Sequence, residues 1–264
     1  MALAFVAGLS AVSSASCGSQ KGACKIASGS YHISFPAGYS PDKALPAVVA
    51  LHSWGGTGQG LLSSGKMVRK LLARGYVVIA PEGLGREGGA GNSWEFRGSS
   101  RRNDAAFIVA AADDAARRFG LNRGRMMLAG FSVGGSMVHY TACRSPGSFR
   151  GYAPVSGNFW KPYPGSCGGG ARILHSHGRT DNTMPFAGRK VGAGLEQGSL
   201  GTAMNIWSKA NGCAPSELNT KGSGVTRQRW SGCTSGALAI DYYPGGHSVP
   251  GAWADRAITW FEGL

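Results

Sequence analysis

Arg125-Met126-Met127-Leu128-Ala129-Gly130-Phe131-Ser132-Val133-Gly134-Gly135-Ser136 is the stretch that decides how this chain is read. An apolar run, Met126 to Ala129, enters Gly130-x-Ser132-x-Gly134, and Met137, Val138 and Tyr140 follow on a helix-like segment. Strand, tight turn and helix in that order are what a nucleophile elbow requires. The turn forces the serine into a strained backbone conformation, and flanking glycines avoid clashes with the adjoining strand and helix. Ser132 is then expected at the carboxyl end of a central strand, with a helix N-terminus behind it. The bare pattern is weak, because a chain with 44 glycines yields about one such match by chance. Context decides.

The context is that of one large α/β domain. The chain has 264 residues, 42% hydrophobic and 15% charged, with no composition break and no internal repeat. That suffices for a substantial single core and excludes a disordered chain. The glycines follow no G-X-Y period, so they predict turns and ordered loops rather than collagen. Net charge is +14, with clusters at Arg97, Arg101 and Arg102 and at Arg117, Arg118, Arg123 and Arg125. No basic helix, zinc pattern or RNP-type aromatic motif accompanies them, so they read as solvated basic faces and no nucleic-acid partner is expected.

Export is the second inference. Ala2 to Val12 is a short apolar run followed by Ser13-Ser14-Ala15-Ser16, small residues that suit signal peptidase. Residues 1–16 are therefore read as a signal peptide, although no basic residue precedes the run, and 17–264 as a single catalytic domain. The run is too short to span a membrane, and no stable insertion is expected. Six cysteines fall as three local pairs, Cys17/Cys24, Cys143/Cys167 and Cys213/Cys233. An even count fits an oxidising compartment, and nearest-neighbour pairing is the expected one of the possible connectivities.

Along the chain, Tyr31 to Phe35 alternates as an edge strand, and Ala47 to Leu51 is a continuous apolar run typical of a strand buried on both faces. Leu61, Leu62, Met67, Val68, Leu71 and Leu72 read as one helix, and Tyr76 to Ala80 as a second buried strand. Asn103-Asp104 caps a helix carrying Phe107, Ile108, Ala111, Ala112, Ala115 and Phe119 on one stripe. Tyr152 to Val155, Ile173 to Ser176, Thr226 to Trp230 and Leu238 to Tyr243 read as strands. Leu200 to Ala210 and Trp253 to Phe261 read as helices. Strands alternating with helices predict a mostly parallel sheet covered on both faces.

An elbow serine needs a histidine to take its proton and an acid to orient that histidine. On sheets that carry this elbow the chain order is Ser, then Asp or Glu, then His. Between Ser132 and His177 there is no Asp or Glu, which removes His139, His175 and His177 and leaves His247. The acid comes from Asp181, Glu196, Glu217 or Asp241. Asp181 is favoured, because it lies just past the buried strand Ile173 to Ser176, at a carboxyl strand end where catalytic groups of open α/β sheets gather. Asp241, inside an alternating strand, is expected to face solvent or a local arginine. Two backbone N–H groups must also face the developing oxyanion. Val133 supplies one, and the loop His52-Ser53-Trp54-Gly55-Gly56 the other, with Trp54 the first candidate and Ser53 the second. Trp94 and Trp160 sit on loops and are candidates to stack on a substrate. His175-x-His177 puts two imidazoles on one strand face, but no acid follows at ligand spacing, so no metal is expected. No phosphate loop or dinucleotide fingerprint occurs, and no cofactor is expected.

The elbow, the acid loop His177-Gly178-Arg179-Thr180-Asp181, Trp207 with Ala210-Asn211-Gly212-Cys213, and Gly245-Gly246-His247 occur in one order. Together they resemble the polyhydroxybutyrate depolymerase and feruloyl esterase group of α/β hydrolases, over nearly all the chain after about Gly29. The resemblance implies hydrolysis of carboxylic esters through an acyl-enzyme, with Ser132, Asp181 and His247 as the triad. Substrates would be short-chain, hydroxyalkanoate or hydroxycinnamoyl esters, small or oligomeric, including pieces of polymers. The family's oxyanion loop usually begins His-Gly, whereas this one begins His52-Ser53-Trp54, so Trp54 is expected to narrow the acyl pocket. The absence of a Ser/Thr/Pro-rich linker raises the expectation of better turnover on soluble esters than on crystalline polyester. Two rival readings keep the same scaffold: a peptidase, and a noncatalytic extracellular binding protein.

Overall fold

The computed structural model describes residues 17–18, 22–63, 65–96, 101–192, 194–220 and 224–264. The expected signal peptide and Arg97 lie outside them. In chain order the strands are β1 (Cys24–Ile26), β2 (Gly29–Ser34), β3 (Ala47–Leu51), β4 (Val77–Pro81), and the short β5 (Leu84–Gly85) and β6 (Asn92–Ser93). Then come β7 (Met126–Phe131), β8 (Gly151–Val155), β9 (Arg172–Gly178), and the short β10 (Arg189–Lys190) and β11 (Glu196–Gln197). The last are β12 (Ser216–Thr220), β13 (Thr226–Trp230) and β14 (Ala237–Tyr243). The helices are α1 (Gly58–Ser63), α2 (Lys66–Ala73), α3 (Asp104–Phe119), α4 (Val133–Arg144), α5 (Leu200–Asn211) and α6 (Trp253–Glu262).

Ten strands form one sheet in the order β1-β2-β4-β3-β7-β8-β9-β14-β13-β12. From β4 to β14 every neighbouring pair is parallel, and both flanks are antiparallel. Parallel strands must be covered on both faces, and alternate residues show that they are. Ala47, Val49, Leu51 and Leu128 pack into one core with Phe107, Met137, Met204 and Trp207 from α3, α4 and α5. Val48, Ala50, Met127 and Ala129 pack into the other with Leu71, Trp253, Ile258 and Phe261 from α2 and α6. The continuous apolar runs of the sequence are these doubly buried strands.

Three readings need correction. The strand around Tyr31 is not an edge, because β1 pairs with it on one side and β4 on the other. The single helix expected from Leu61 to Leu72 is two, α1 and α2. A strand was missed at Ser216–Thr220, a polar segment paired to β13 that has no apolar run to betray it. Of the two settings expected for Asp241, solvent or a local arginine, it takes the second: it is fully buried, with Arg227 Nε and Nη2 donating to its two oxygens at 2.6 and 2.7 Å.

Disulfides join Cys17–Cys24, Cys143–Cys167 and Cys213–Cys233, closing separations of 7, 24 and 20 residues. Loops of these lengths stabilise the fold by about 2–4 kcal/mol each, the longer two more. The arginine clusters are partly neutralised in place. Arg102, Arg118 and Arg123 donate to Asp104, Asp114 and Asp113. Among the described residues no helix is long and apolar enough to cross a membrane.

Candidate active site

The site is built on the turn between β7 and α4. Ser132 has φ 58° and ψ −123°, a conformation that an L-residue with a Cβ rarely adopts. It is held by its N–H donating to Val155 O at 2.9 Å and its carbonyl accepting from Ser136 N at 2.9 Å. The turn closes only because its neighbours are bare. A Cβ on Gly134 would lie 2.5 Å from His52 O and 2.6 Å from Leu51 O, and one on Gly157 would overlap Ser132 O. Backbone crowding of this kind cannot be relieved by turning a side chain.

Three loops at the carboxyl ends of β7, β9 and β14 bring the expected triad together. His247 Nε2 is 2.9 Å from Ser132 Oγ, and His247 Nδ1 is 2.8 Å from Asp181 Oδ2. The other Asp181 oxygen accepts from the backbone N–H groups of Thr183 and Met184 at 3.0 and 2.8 Å. Burial alone would raise the Asp181 carboxyl, but the Met184 N–H and the His247 imidazole outweigh it and hold it below the usual carboxylate range. An ionised Asp181 can only accept, so His247 donates Nδ1–H to it and presents a bare Nε2 to the serine hydroxyl. The Phe131 ring lies against it, 4.7 Å between ring centroids.

The loop after β3 is braced from behind. His52 is buried, and its Nε2 accepts from Gly83 N at 3.0 Å, which leaves Nδ1–H to donate to Ser53 O at 2.9 Å. Burial, opposed by that bond to Ser53, pushes the His52 imidazole down, so it stays neutral. Trp94 is buried too, and its indole N–H donates to His52 O at 2.9 Å. The tryptophan expected to stack on substrate is therefore first a brace for this loop. Trp160 is similar: it is buried and donates Nε1–H to Ser136 Oγ at 3.1 Å. Both still line a cleft of about 680 Å³ with Trp54, Arg86, Phe96 and Val133. Trp54 stands at its rim, 58% exposed, with the Arg86 guanidinium 4.2 Å from its ring centroid. Gly55 and Gly56 donate to Asn92 O and Ser53 O, so within this loop Ser53 and Trp54 are the candidate donors toward the cleft. Val133 opens α4, where its N–H has no carbonyl of a preceding turn to meet.

The other histidines form a group that the sequence did not reveal. His139, His175 and His177 are buried, on α4 and β9, and touch one another in series. The His-x-His spacing showed two of them on one face; His139 comes from a helix and is visible only in three dimensions. Among the described residues no cluster of His, Cys, Asp and Glu is arranged to hold a metal ion. Burial pushes all three imidazoles down, His139 to about 3, with neighbouring histidines adding to the effect for His139 and His175. Unfolded, they bind protons near the ordinary histidine value of about 6.5. Folded, they do so only at lower pH. As pH falls below that ordinary value the unfolded chain thus binds more protons, and stability falls. The depressed Asp181 carboxyl adds a further loss once pH passes below the ordinary carboxylate range. Melting temperature is expected to drop by roughly 10 °C or more between about pH 7.5 and 5. A melting temperature flat across that range would contradict the neutral buried histidines.

Sheet and elbow define an α/β hydrolase. The dienelactone hydrolase family profile matches residues 37–206, and the chain belongs to that family. It is 28% identical to "Feruloyl esterase C" of Emericella nidulans over 247 residues, 88% of this chain and 82% of the relative. It is 27% identical to "Probable feruloyl esterase C" of Aspergillus terreus over 249 residues, 89% of this chain and 83% of that one. Among solved structures, "Acetyl xylan esterase from Aspergillus awamori" superposes with a TM-score of 0.67 at 18% identity, covering 89% of this chain and 94% of that chain. That last likeness is one of fold.

Proposed function

We propose that this protein is a serine carboxylic-ester hydrolase that works through an acyl-enzyme. The observation that carries the reading is the relay Asp181 Oδ2–His247–Ser132 Oγ, with steps of 2.8 and 2.9 Å. His247 Nε2 takes the Ser132 hydroxyl proton as Oγ attacks the ester carbonyl carbon. The carbonyl oxygen gathers charge and is met by the N–H groups of Val133 and of Trp54. His247 returns the proton to the leaving alcohol, then takes one from water, whose oxygen attacks the acyl carbon and frees Ser132. No cofactor enters this sequence of steps. The names of the curated relatives support esters of hydroxycinnamic acids as substrates, with short-chain acyl and hydroxyalkanoate esters in the same class. The three disulfides support an exported protein working in an oxidising compartment.

A cleft of about 680 Å³ walled by Trp54, Trp94, Phe96 and Trp160 suits a planar or short acyl group. Initial rates on acetyl, butyryl and feruloyl esters are therefore expected to exceed that on the decanoyl ester, by roughly ten-fold or more. A decanoyl ester turned over fastest would refute this assignment of the cleft. Labelling by a fluorophosphonate tests the chemistry itself, since only an activated serine reacts. Label absent from Ser132 in folded protein would favour the noncatalytic rival.

A further inference from the structure

Three histidines that take no part in the proposed acyl transfer lie in one buried line. Trp207 Nε1–H donates to His139 Nδ1 at 2.9 Å, and His139 Nε2 is 3.0 Å from His175 Nδ1. His175 Nε2 is 2.9 Å from His177 Nδ1, and His177 Nε2 is 2.8 Å from Met184 O. All four side chains are at most 1% exposed. The Phe159 ring, 5.2 Å from His139, and the Phe186 ring, 5.0 Å from His177, flank the two ends.

The ends fix the direction. An indole N–H can only donate, and a carbonyl can only accept. His139 must therefore offer a bare Nδ1 and carry its proton on Nε2. The same assignment passes to His175 and then to His177, whose Nε2–H closes on Met184. One proton per ring satisfies every contact along the line, and a second on any of the three rings would set two donors against each other. Polarity chosen at the tryptophan is thus delivered to a carbonyl more than twenty residues away in sequence from it.

That carbonyl belongs to the acid loop. Met184 N–H donates to Asp181 Oδ1 at 2.8 Å, and His177 Nε2 lies 3.6 Å from Asp181 Oδ2, the oxygen that orients His247. One peptide segment both receives the last proton of the line and holds the carboxylate. We propose that Trp207, His139, His175 and His177 are positioning residues, a one-directional hydrogen-bond array that keeps the loop Asp181–Met184 in register with His247. The inference rests on the serine-esterase reading above, and its failure can be told apart from the failure of that reading.

The tests are kinetic and spectroscopic. Nitrogen-15 NMR of the wild-type protein should show three imidazoles protonated on Nε2 alone and not titrating between about pH 5 and 8. Trp207→Phe, which keeps a ring but removes the first donor, should lower kcat roughly ten-fold with KM changed by less than about two-fold. It should also disturb the Nε2–H pattern. His177→Leu should lower kcat roughly a hundred-fold, and His177→Gln, whose amide N–H reaches the same carbonyl, should recover most of that loss. Wild-type protein that neither hydrolyses esters nor reacts with a fluorophosphonate overturns both readings. Active wild type overturns this one alone in any of three cases: Trp207→Phe shifts only the melting temperature, His177→Gln is no better than His177→Leu, or the rings titrate or carry Nδ1–H.

Discussion

Ser132→Ala is expected to lose ester hydrolysis by roughly 10⁴-fold or more while keeping its fold. The size follows from the site. Ser132 Oγ stands 2.9 Å from the bare Nε2 of His247, and the methyl of alanine offers no nucleophile in its place. Among the described residues the hydroxyl's hydrogen bond is the one to His247 Nε2. The turn is held by backbone bonds from Ser132 N and to Ser132 O, which alanine keeps. His247→Ala should lose as much, because the members of such a relay act as a unit and their losses do not add. Asp181→Asn should fall nearly as far: its amide can donate where the carboxylate accepted, which turns the imidazole to the wrong tautomer. Initial rates on a butyryl ester, with melting curves for each variant, decide the matter. Near-normal turnover by folded Ser132→Ala would sink the triad.

The second large effect lies away from the chemistry. Asp241→Asn is expected to destabilise by about 3–5 kcal/mol. Asp241 is fully buried on β14, with Arg227 on its paired strand β13 bound to both oxygens and Arg256 Nε 3.4 Å away. Neutralising it leaves Arg227, itself 7% exposed, without its counter-charge, and a guanidinium cannot shed its proton to escape the cost. In a domain of this size that amounts to a fall of roughly 6–20 °C in melting temperature. Activity measured well below melting should change little. A melting temperature within a degree or two of wild type would show that the pair is not sustaining the outer strands.

For Asp241 the sequence left two settings open, solvent or a local arginine, and the structure has the second. Its strand alternates, and alternation normally places a charge in solvent, but β12 and β13 extend the sheet and arginines close over it. The polar segment Ser216–Thr220 carries no apolar period, so the strand that builds that flank could not be seen. The centre of the sheet was legible for the opposite reason. Ala47 to Leu51 and Met126 to Ala129 are buried on both faces, and their composition says so. The three side chains of the proposed triad, which the structure brings within hydrogen-bond distance, were singled out through chain order: no acid lies between Ser132 and His177, which left His247 as the candidate base. The histidine line was not. Its members come from α4, β9 and α5, and no spacing within one element links His139 or Trp207 to His175. Trp94 and Trp160 were read from their loops as candidates to stack on a substrate; what the loops could not show is the acceptor that turns each indole N–H inward, His52 O and Ser136 Oγ.

The backbone at Ser132 has a consequence for how this chain would change if heat resistance were the only thing selected. Its φ of 58° with ψ −123° is a place where a residue with a Cβ costs about 1–3 kcal/mol. Glycine would release that cost and surrender only about 0.5–1 kcal/mol through the freedom it gains when unfolded. The balance favours glycine, so Ser132→Gly should melt above Ser132→Ala, and a lower melting point for the glycine variant would refute the balance. A population sorted for survival at high temperature, with no demand for turnover, would then drift toward losing the serine proposed as its nucleophile first. Tolerance of heat and capacity for chemistry pull against each other at a single peptide, and a screen for hardier variants has to hold residue 132 fixed.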